Sequence, residues 1–517
     1  MSVAGLDINS LADVPTMAAA SAASALERVT EAIKSRGTAS LWTLAAALVG
    51  AAVAVHALGL LPSRRKQSDD LPRPPVAREG LPVVGAAAAF NQDPIGFLRR
   101  HRDALGPVFS VKMLSTTMVM FVSPASQVRF FRLPRNGDFR LEDAFYDMIA
   151  AVSRRTSRDP TIDEPFIKTV ATVLPRHSFI EPQRILTIPM VASSVDAAIA
   201  ADGGSGINDM ATFASTLAIH VGMLALAGRR FFDAHHKAFV PMLRQFECDI
   251  RDLRNVFFPN LPFAPQRRLE ASMVQLVQWV SEEMSLRKRN NEKHDDFLDQ
   301  LMSCDSAIHH STEIYVHLVS LLLAAHTNTA GTIMWTLYEL ARDQALQDRV
   351  RQELVANGAI QPTIDDMIAK PPTTKSELLS ACIKETGRRY QALFLFRMAV
   401  RDSEFEGYRI KRGEMAVVPL LFPDPLKYDP SRFLDGRNAD CAIRGEYAQF
   451  GLGVHKCLGE KFVLSIISNV VLPLVLSRAT VKIVSPAPDV HPGCDYFATL
   501  GVPFPATLVK MQFVARK

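Results

Sequence analysis

Ten residues near the C-terminal end constrain this chain more than any other stretch: Phe450-Gly451-Leu452-Gly453-Val454-His455-Lys456-Cys457-Leu458-Gly459. Glycines this dense oppose both helix and strand, so the segment is a turn that presents one cysteine. Gly453 and Gly459 let the backbone come close enough for N–H groups to point at the Cys457 sulfur. The mainly apolar run Lys461–Leu472 reads as a helix, with Pro473 as a stop or kink. Its positive N-terminal end then lies beside the sulfur and favours a thiolate. An inert buried cysteine is the plain alternative. The fixed positions and the helix that follows them argue against it.

A shielded thiolate suits ligation of a heme iron, to which it donates charge that favours O–O cleavage. In that arrangement Phe450 shields the proximal side and His455 donates to a heme propionate. Two further constellations accompany the loop. Glu385 and Arg388 share a helix face at i and i+3, which alone is an ordinary surface pair. The segment Asp429-Pro430-Ser431-Arg432-Phe433 offers a third charge, and Arg432 can close a Glu-Arg-Arg network beneath the loop. The clearest helix runs from about Glu313 to Arg342, where His326-Thr327-Asn328-Thr329 interrupt an apolar stretch. Hydroxyls bonding back to carbonyls are the bland reading of that interruption.

Residues 1–40 are polar and Ala-rich, and Asp7 and Asp13 count against a mitochondrial transit peptide. Leu41–Leu61 is an apolar run with only Thr43 and His56 as polar members. It has about the 20 residues needed to span a bilayer. Arg64, Arg65 and Lys66 follow it and favour a single pass with the body on the cytosolic side, although Lys34 and Arg36 weaken the asymmetry. The expected organisation is a polar segment 1–40, a transmembrane anchor 41–61, a basic and proline-rich strap 62–85 and a catalytic domain 86–517. The net charge of +5 in 517 residues does not suit a dedicated nucleic-acid binder. The six cysteines are scattered without a CxxC pair, so neither a zinc cage nor a disulfide framework is expected. Val108–Met113 and Met118–Val122 read as a strand pair; further strands are expected at Ala399–Arg409, at Met415–Pro419 and near the C-terminus.

The cysteine loop, the Glu385–Arg388 pair, the Arg432 segment and the long interrupted helix together resemble the cytochrome P-450 superfamily over residues 70–517. The resemblance implies a mainly α fold, about a dozen helices with a small β region, plus the N-terminal transmembrane helix. It implies a monooxygenase with heme b ligated by Cys457. NADPH-cytochrome reductase would supply electrons, or a cytochrome b-type donor, at a patch flanked by Lys456, Lys461, Arg437 and Arg444. Its microsomal members place such a chain in the endoplasmic reticulum membrane rather than the mitochondrion.

Several segments are similar to the sterol 14α-demethylase group: Phe258-Pro259-Asn260-Leu261-Pro262, Cys382-Ile383-Lys384-Glu385-Thr386 and Arg397-Met398-Ala399. That similarity implies a sterol or related lipid substrate entering near Phe257–Pro265, and demethylation at a 14α or C4 methyl. It implies cofactor contacts from Arg397, Lys168 and Tyr146, and substrate contacts from Phe145, Ala325, Leu393 and Phe497. The chain also departs from the group. An ungapped reading puts Thr327 where the group has His and Asn328 where it has its proton-relay Thr. His326-Thr327 is a His-Thr pair one place early, and a hydroxyl relays protons better than an amide, so Thr327 is the preferred relay and Asn328 the second candidate. A heme protein doing isomerase or dehydratase chemistry, a non-sterol lipid hydroxylase and a lipid-binding scaffold remain open alternatives.

Overall fold

The computed structural model describes residues 71–516 except 81–84, 114–115, 149–159, 251, 253–262, 304–312, 373–374, 391–393, 420–426, 435–446 and 496–500. The expected anchor 41–61, the polar segment 1–40 and the basic start of the strap lie outside the described residues. So do Leu393, Phe497, Arg437, Arg444 and Phe257–Pro262.

Helices dominate, and the β structure gathers near the two ends of the body. Val108–Met113 and Thr116–Phe121 pair antiparallel. Thr116–Phe121 runs parallel to Met415–Pro419, which pairs antiparallel with Phe394–Ala399. Phe139–Arg140 closes this five-stranded sheet. Met415–Pro419 is buried at every position, as a central strand covered on both faces should be. Residues 71–77 run along the free edge of Val108–Met113: Ser110 N–H donates to Pro75 O at 2.7 Å and Ala77 N–H to Ser110 O at 2.8 Å. This proline-rich stretch occupies the ladder groups of an edge strand that would otherwise stay open. A second sheet joins Ile207–Asp209, Lys510–Ala515 and Ala479–Ser485.

The helical core packs around Thr327–Arg342, in which Ala330–Ala341 are all buried. The helix Met210–Ile250 turns sharply at Gly228, whose φ is 85°. A Cβ there would lie 2.1 Å from Asp296 Oδ2, so only glycine fits the bend. The fully buried Arg287 holds the bend, donating to Ala227 O and to both carboxylate oxygens of Asp296, each at 2.7 Å.

Two expected helices differ from what the sequence suggests. Glu313–Arg342 is not continuous: it divides into Glu313–Ala324 and Thr327–Arg342, with Ala325 and His326 between. Hydroxyls claim carbonyls at this break, Thr329 bonding Ala325 O at 2.7 Å and Thr332 bonding Asn328 O at 2.9 Å. Pro473 does not stop its helix either. Helix Glu460–Ile466 passes through a wide π turn, Ile467–Val471, and continues as Leu472–Arg478. Proline lacks an N–H and crowds the preceding turn, and a widened turn relieves both.

Candidate active site

The cysteine loop folds onto itself before the Glu460–Ile466 helix. Cys457 N–H donates to Phe450 O at 2.7 Å, Lys456 N–H to Gly453 O at 3.2 Å and Gly451 N–H to Ala448 O at 2.9 Å. Gly453 has a φ of 67°, and a Cβ on it would come 2.1 Å from the Phe131 carbonyl oxygen. The loop therefore lies flat against the end of helix Pro124–Phe131, a close approach open only to glycine. The backbone N–H groups of Gly459 and Glu460 point at the Cys457 sulfur. Burial nevertheless raises the thiol above its ordinary value, against the pull of those two N–H groups and of Lys456. A bound cation at the sulfur would reverse this balance.

The sulfur opens on an internal cavity of about 490 Å³. Its walls are largely apolar, with Phe130, Phe131, Leu174, Leu395 and Val463 among them. Arg397 and His455 stand in the same wall. Arg397 is almost fully buried, donates to Leu133 O at 3.0 Å and lies over the Phe130 ring at 4.9 Å. It makes no ion pair among the described residues, and burial pulls its guanidinium down to about 10. His455 Nε2 is buried without a hydrogen-bond partner, while its Nδ1 lies 3.8 Å from Glu142 Oε1. Burial also lowers the His455 imidazole below its ordinary value. A buried guanidinium without an ion pair and a buried imidazole nitrogen without a partner, on the wall that holds the sulfur, are what the carboxylates of a flat, metal-bearing cofactor would satisfy. The donor set fits a heme. Lys168 is exposed and does not line the cavity, so the structure does not bring it to this site. Phe145 and Tyr146 fall in the helix Leu141–Met148, and their side chains lie outside the described residues.

Across the cavity stands the broken helix. Leu321, Ala325, Asn328, Thr329 and Thr332 line it, one face at helical spacing. Thr327 does not, which corrects the preference for it as the relay. Its hydroxyl donates to Glu247 Oε1 at 2.9 Å, and the same oxygen pairs with His326 Nδ1 at 2.9 Å. Asn328 and Thr329 thus face the cavity, while Thr327 faces Glu247. Of the two candidates, Asn328 is the one in the cavity wall. Glu247 had no signal in the sequence, being one carboxylate on a long helix remote in the chain from His326.

Beneath the cysteine loop, the Glu385–Arg388 pair is fully buried. Arg388 Nε donates to Glu385 Oε2 at 2.7 Å and its Nη2 to Oε1 at 2.9 Å. Arg432 Nε lies 3.6 Å from Glu385 Oε1, and Asp429 N–H donates to that oxygen at 2.7 Å. Arg388 also donates to Lys427 O at 2.6 Å. The three charges expected to meet do so. Gly387, unremarked in the sequence, faces Gln449 so closely that a Cβ would come 1.9 Å from its side chain.

A family model described as "Cytochrome P450" matches residues 177–493, more than half of the chain. The chain belongs to the cytochrome P450 family. It is an oxidoreductase of the P450 monooxygenase type, with heme iron held by a cysteine thiolate as cofactor. A cytochrome P450 monooxygenase of Aspergillus niger, pynD, is 26% identical over 452 residues, covering 81% of this P450 and 88% of the relative. Human lanosterol 14-alpha demethylase is 25% identical over 414 residues, covering 75% and 77%. A cyanobacterial P450 solved with retinoic acid bound shares the fold at a TM-score of 0.68 and 16% identity, covering 86% of this chain and all of that one.

Proposed function

We propose that this P450 oxidises a sterol or a related lipid, with Cys457 as the thiolate ligand and demethylation at a 14α or C4 methyl as the reaction. The observation that carries this reading is the apolar cavity that joins the Cys457 sulfur to the broken helix at Asn328. When bound, the heme supplies oxygen activation and the insertion of one oxygen atom into a substrate C–H bond. The chain's own residues supply the rest. Arg397 and His455 would hold the propionates, Phe450 would cover the cofactor on the side of the cysteine loop, and the Glu385–Arg388–Arg432 network fixes that loop. Ala325 leaves room for substrate above, and Asn328 holds the proton-bearing group on the distal side. The leucines, valines and phenylalanines of the wall exclude water and take up an apolar body.

Electrons come from an NADPH-dependent reductase that docks near Lys456 and Lys461. Residues 41–61 anchor the enzyme in the endoplasmic reticulum membrane with its body in the cytosol. Deleting residues 1–66 is then expected to leave heme binding intact and make the protein extractable by salt.

Asn328 favours one second reading. An amide where the sterol 14α-demethylase group carries threonine suits a different lipophilic substrate, hydroxylated rather than demethylated. Mass spectrometry of products from a reconstituted reaction with a panel of methylated sterols separates the two. Loss of a methyl group from one of them supports the first. Absence of any sterol product from an enzyme that retains its thiolate–CO Soret band overturns it.

A further inference from the structure

A second cavity, of about 730 Å³, lies apart from the first and shares no lining residue with it. Its lining is mixed, with Ile199, Val355, Ile360, Ile364, Met367 and Leu474 set among polar side chains. Three arginines also line it, and two are already neutralised. Arg478 forks onto Asp196, Nε to Oδ1 at 2.8 Å and Nη2 to Oδ2 at 2.5 Å. Arg516 Nη2 donates to Asp348 Oδ1 at 3.1 Å. The third, Arg351, has no ion pair among the described residues, and its Nε is buried without a hydrogen-bond partner. The hydroxyls nearby are committed elsewhere: Thr363 donates to Asp366 Oδ2 at 2.7 Å and Ser477 to Leu474 O at 3.0 Å.

We propose that this cleft is a binding site for a single-chain amphiphile with a carboxylate head, a fatty-acid-like ligand seated on Arg351. The Arg351 guanidinium lines the cleft with no carboxylate paired to it among the described residues, and a carboxylate is the planar acceptor its fork matches. One uncompensated positive charge calls for a monoanion rather than a phosphate dianion. The apolar side chains of the lining take the chain, and the volume falls within the range of small-molecule sites, roughly 300–1,000 Å³. The site is separate from the reaction cavity, although one helical run connects them: Phe462 and Val463 line the first and Leu474 and Ser477 the second.

Photolabelling tests this on the full-length holoenzyme with its heme cavity blocked by clotrimazole. The probe is a diazirine-bearing C16 carboxylic acid, mapped by peptide mass spectrometry. Label is expected in the peptides spanning residues 355–367 and 474–478. Dodecanoate should compete it away, whereas dodecanol and dodecyl phosphate should compete about tenfold less well. R351M is expected to lose most of the label and R351K to keep part of it. V355D places a carboxylate at an exposed wall position and should also lose label, without touching Arg351. An unchanged clotrimazole difference spectrum shows that each variant is folded. Label elsewhere, label undiminished in R351M and V355D, or equal competition by dodecanol overturns the proposal. Equal or better competition by dodecyl phosphate overturns the carboxylate assignment.

Discussion

The side-chain Oδ1 of Asn328 accepts the backbone N–H of Val502 at 2.9 Å. A Cβ on the neighbouring Gly501 would come 1.9 Å from the same oxygen, so the amide sits against a backbone that only glycine lets approach. With its carbonyl oxygen engaged there, Asn328 has its NH2 as the group free to donate into the cavity. Thr327 is turned away to Glu247. Asn328→Ala is therefore expected to keep the thiolate–CO band and divert reducing equivalents to peroxide, raising the peroxide-to-product ratio roughly tenfold or more. Thr327→Ala should change that ratio by no more than about twofold. Stoichiometry of NADPH, peroxide and product decides it, and uncoupling in Thr327→Ala alone would defeat the assignment.

The Glu385–Arg388 pair carries a different load. Both side chains are fully buried, and Glu385 also accepts from Asp429 N–H. Removing one charge leaves the other uncompensated, at a cost of about 3–5 kcal/mol. Glu385→Gln and Arg388→Leu should each lower the thermal midpoint by several degrees and release heme on mild heating. Arg388→Lys should not rescue, because one ammonium cannot make the paired bonds of the guanidinium fork and also reach Lys427 O. Wild-type heme retention in Glu385→Gln would show that the pair is dispensable.

These two sites show what is legible in a sequence of this kind. The cysteine loop, the Glu385–Arg388 spacing and Arg432 are local patterns whose chemistry needs only neighbours in the chain or one short downstream segment. The strand pair is equally local, Val108–Met113 as expected and its partner at Thr116–Phe121 rather than Met118–Val122. The helix break was not. Glu247 meets His326 and Thr327 there, brought by the packing of a helix that turns at Gly228, and no local pattern announces that meeting. The rotation that turns Thr327 away and Asn328 inward follows from the same tertiary contact. Pro473 illustrates the opposite case, a strong local breaker accommodated after a π turn where Val470–Leu476 are buried.

A pH dependence follows from the buried cluster around Tyr390. Tyr390 stacks on Trp335 at 4.0 Å, its hydroxyl donates to Glu339, and His491 Nε2 lies 3.1 Å from that hydroxyl. Burial first, then Arg389 and Arg342, lower the His491 imidazole to about 4 from its ordinary 6.5. The folded state thus holds His491 neutral where the unfolded chain takes up a proton. Stability is complete above pH 6.5 and is lost as the pH falls from 6.5 towards 4. His220, lowered to about 4 by burial and by His236, adds a slope of the same sign in the same window. Thermal midpoints measured between pH 7 and about 4 should fall less steeply for His491→Gln than for wild type. The His220 contribution should remain in that variant, and parallel curves for the two proteins would remove His491 from the account.

The cysteine loop gives a graded test of ligand against scaffold. Cys457→Ala should abolish the thiolate–CO Soret band, since no other cysteine lines the cavity among the described residues. Gly453→Ala leaves the sulfur in place but forces a Cβ against the Phe131 carbonyl at 2.1 Å in a left-handed backbone conformation. That substitution strains the loop and should cost several kcal/mol, with partial conversion of the band to a neutral-thiol form. Gly459→Ala differs. Its φ of −88° suits any residue, and a Cβ would meet only Cys457 Sγ and Leu174 Cδ1, both at 4.0 Å. Gly459→Ala should therefore retain the band almost fully. The expected order of retained thiolate–CO absorbance is Gly459→Ala, then Gly453→Ala, then Cys457→Ala. A Gly453→Ala protein with wild-type absorbance and thermal midpoint would show that the loop can leave the Phe131 carbonyl without disturbing the sulfur.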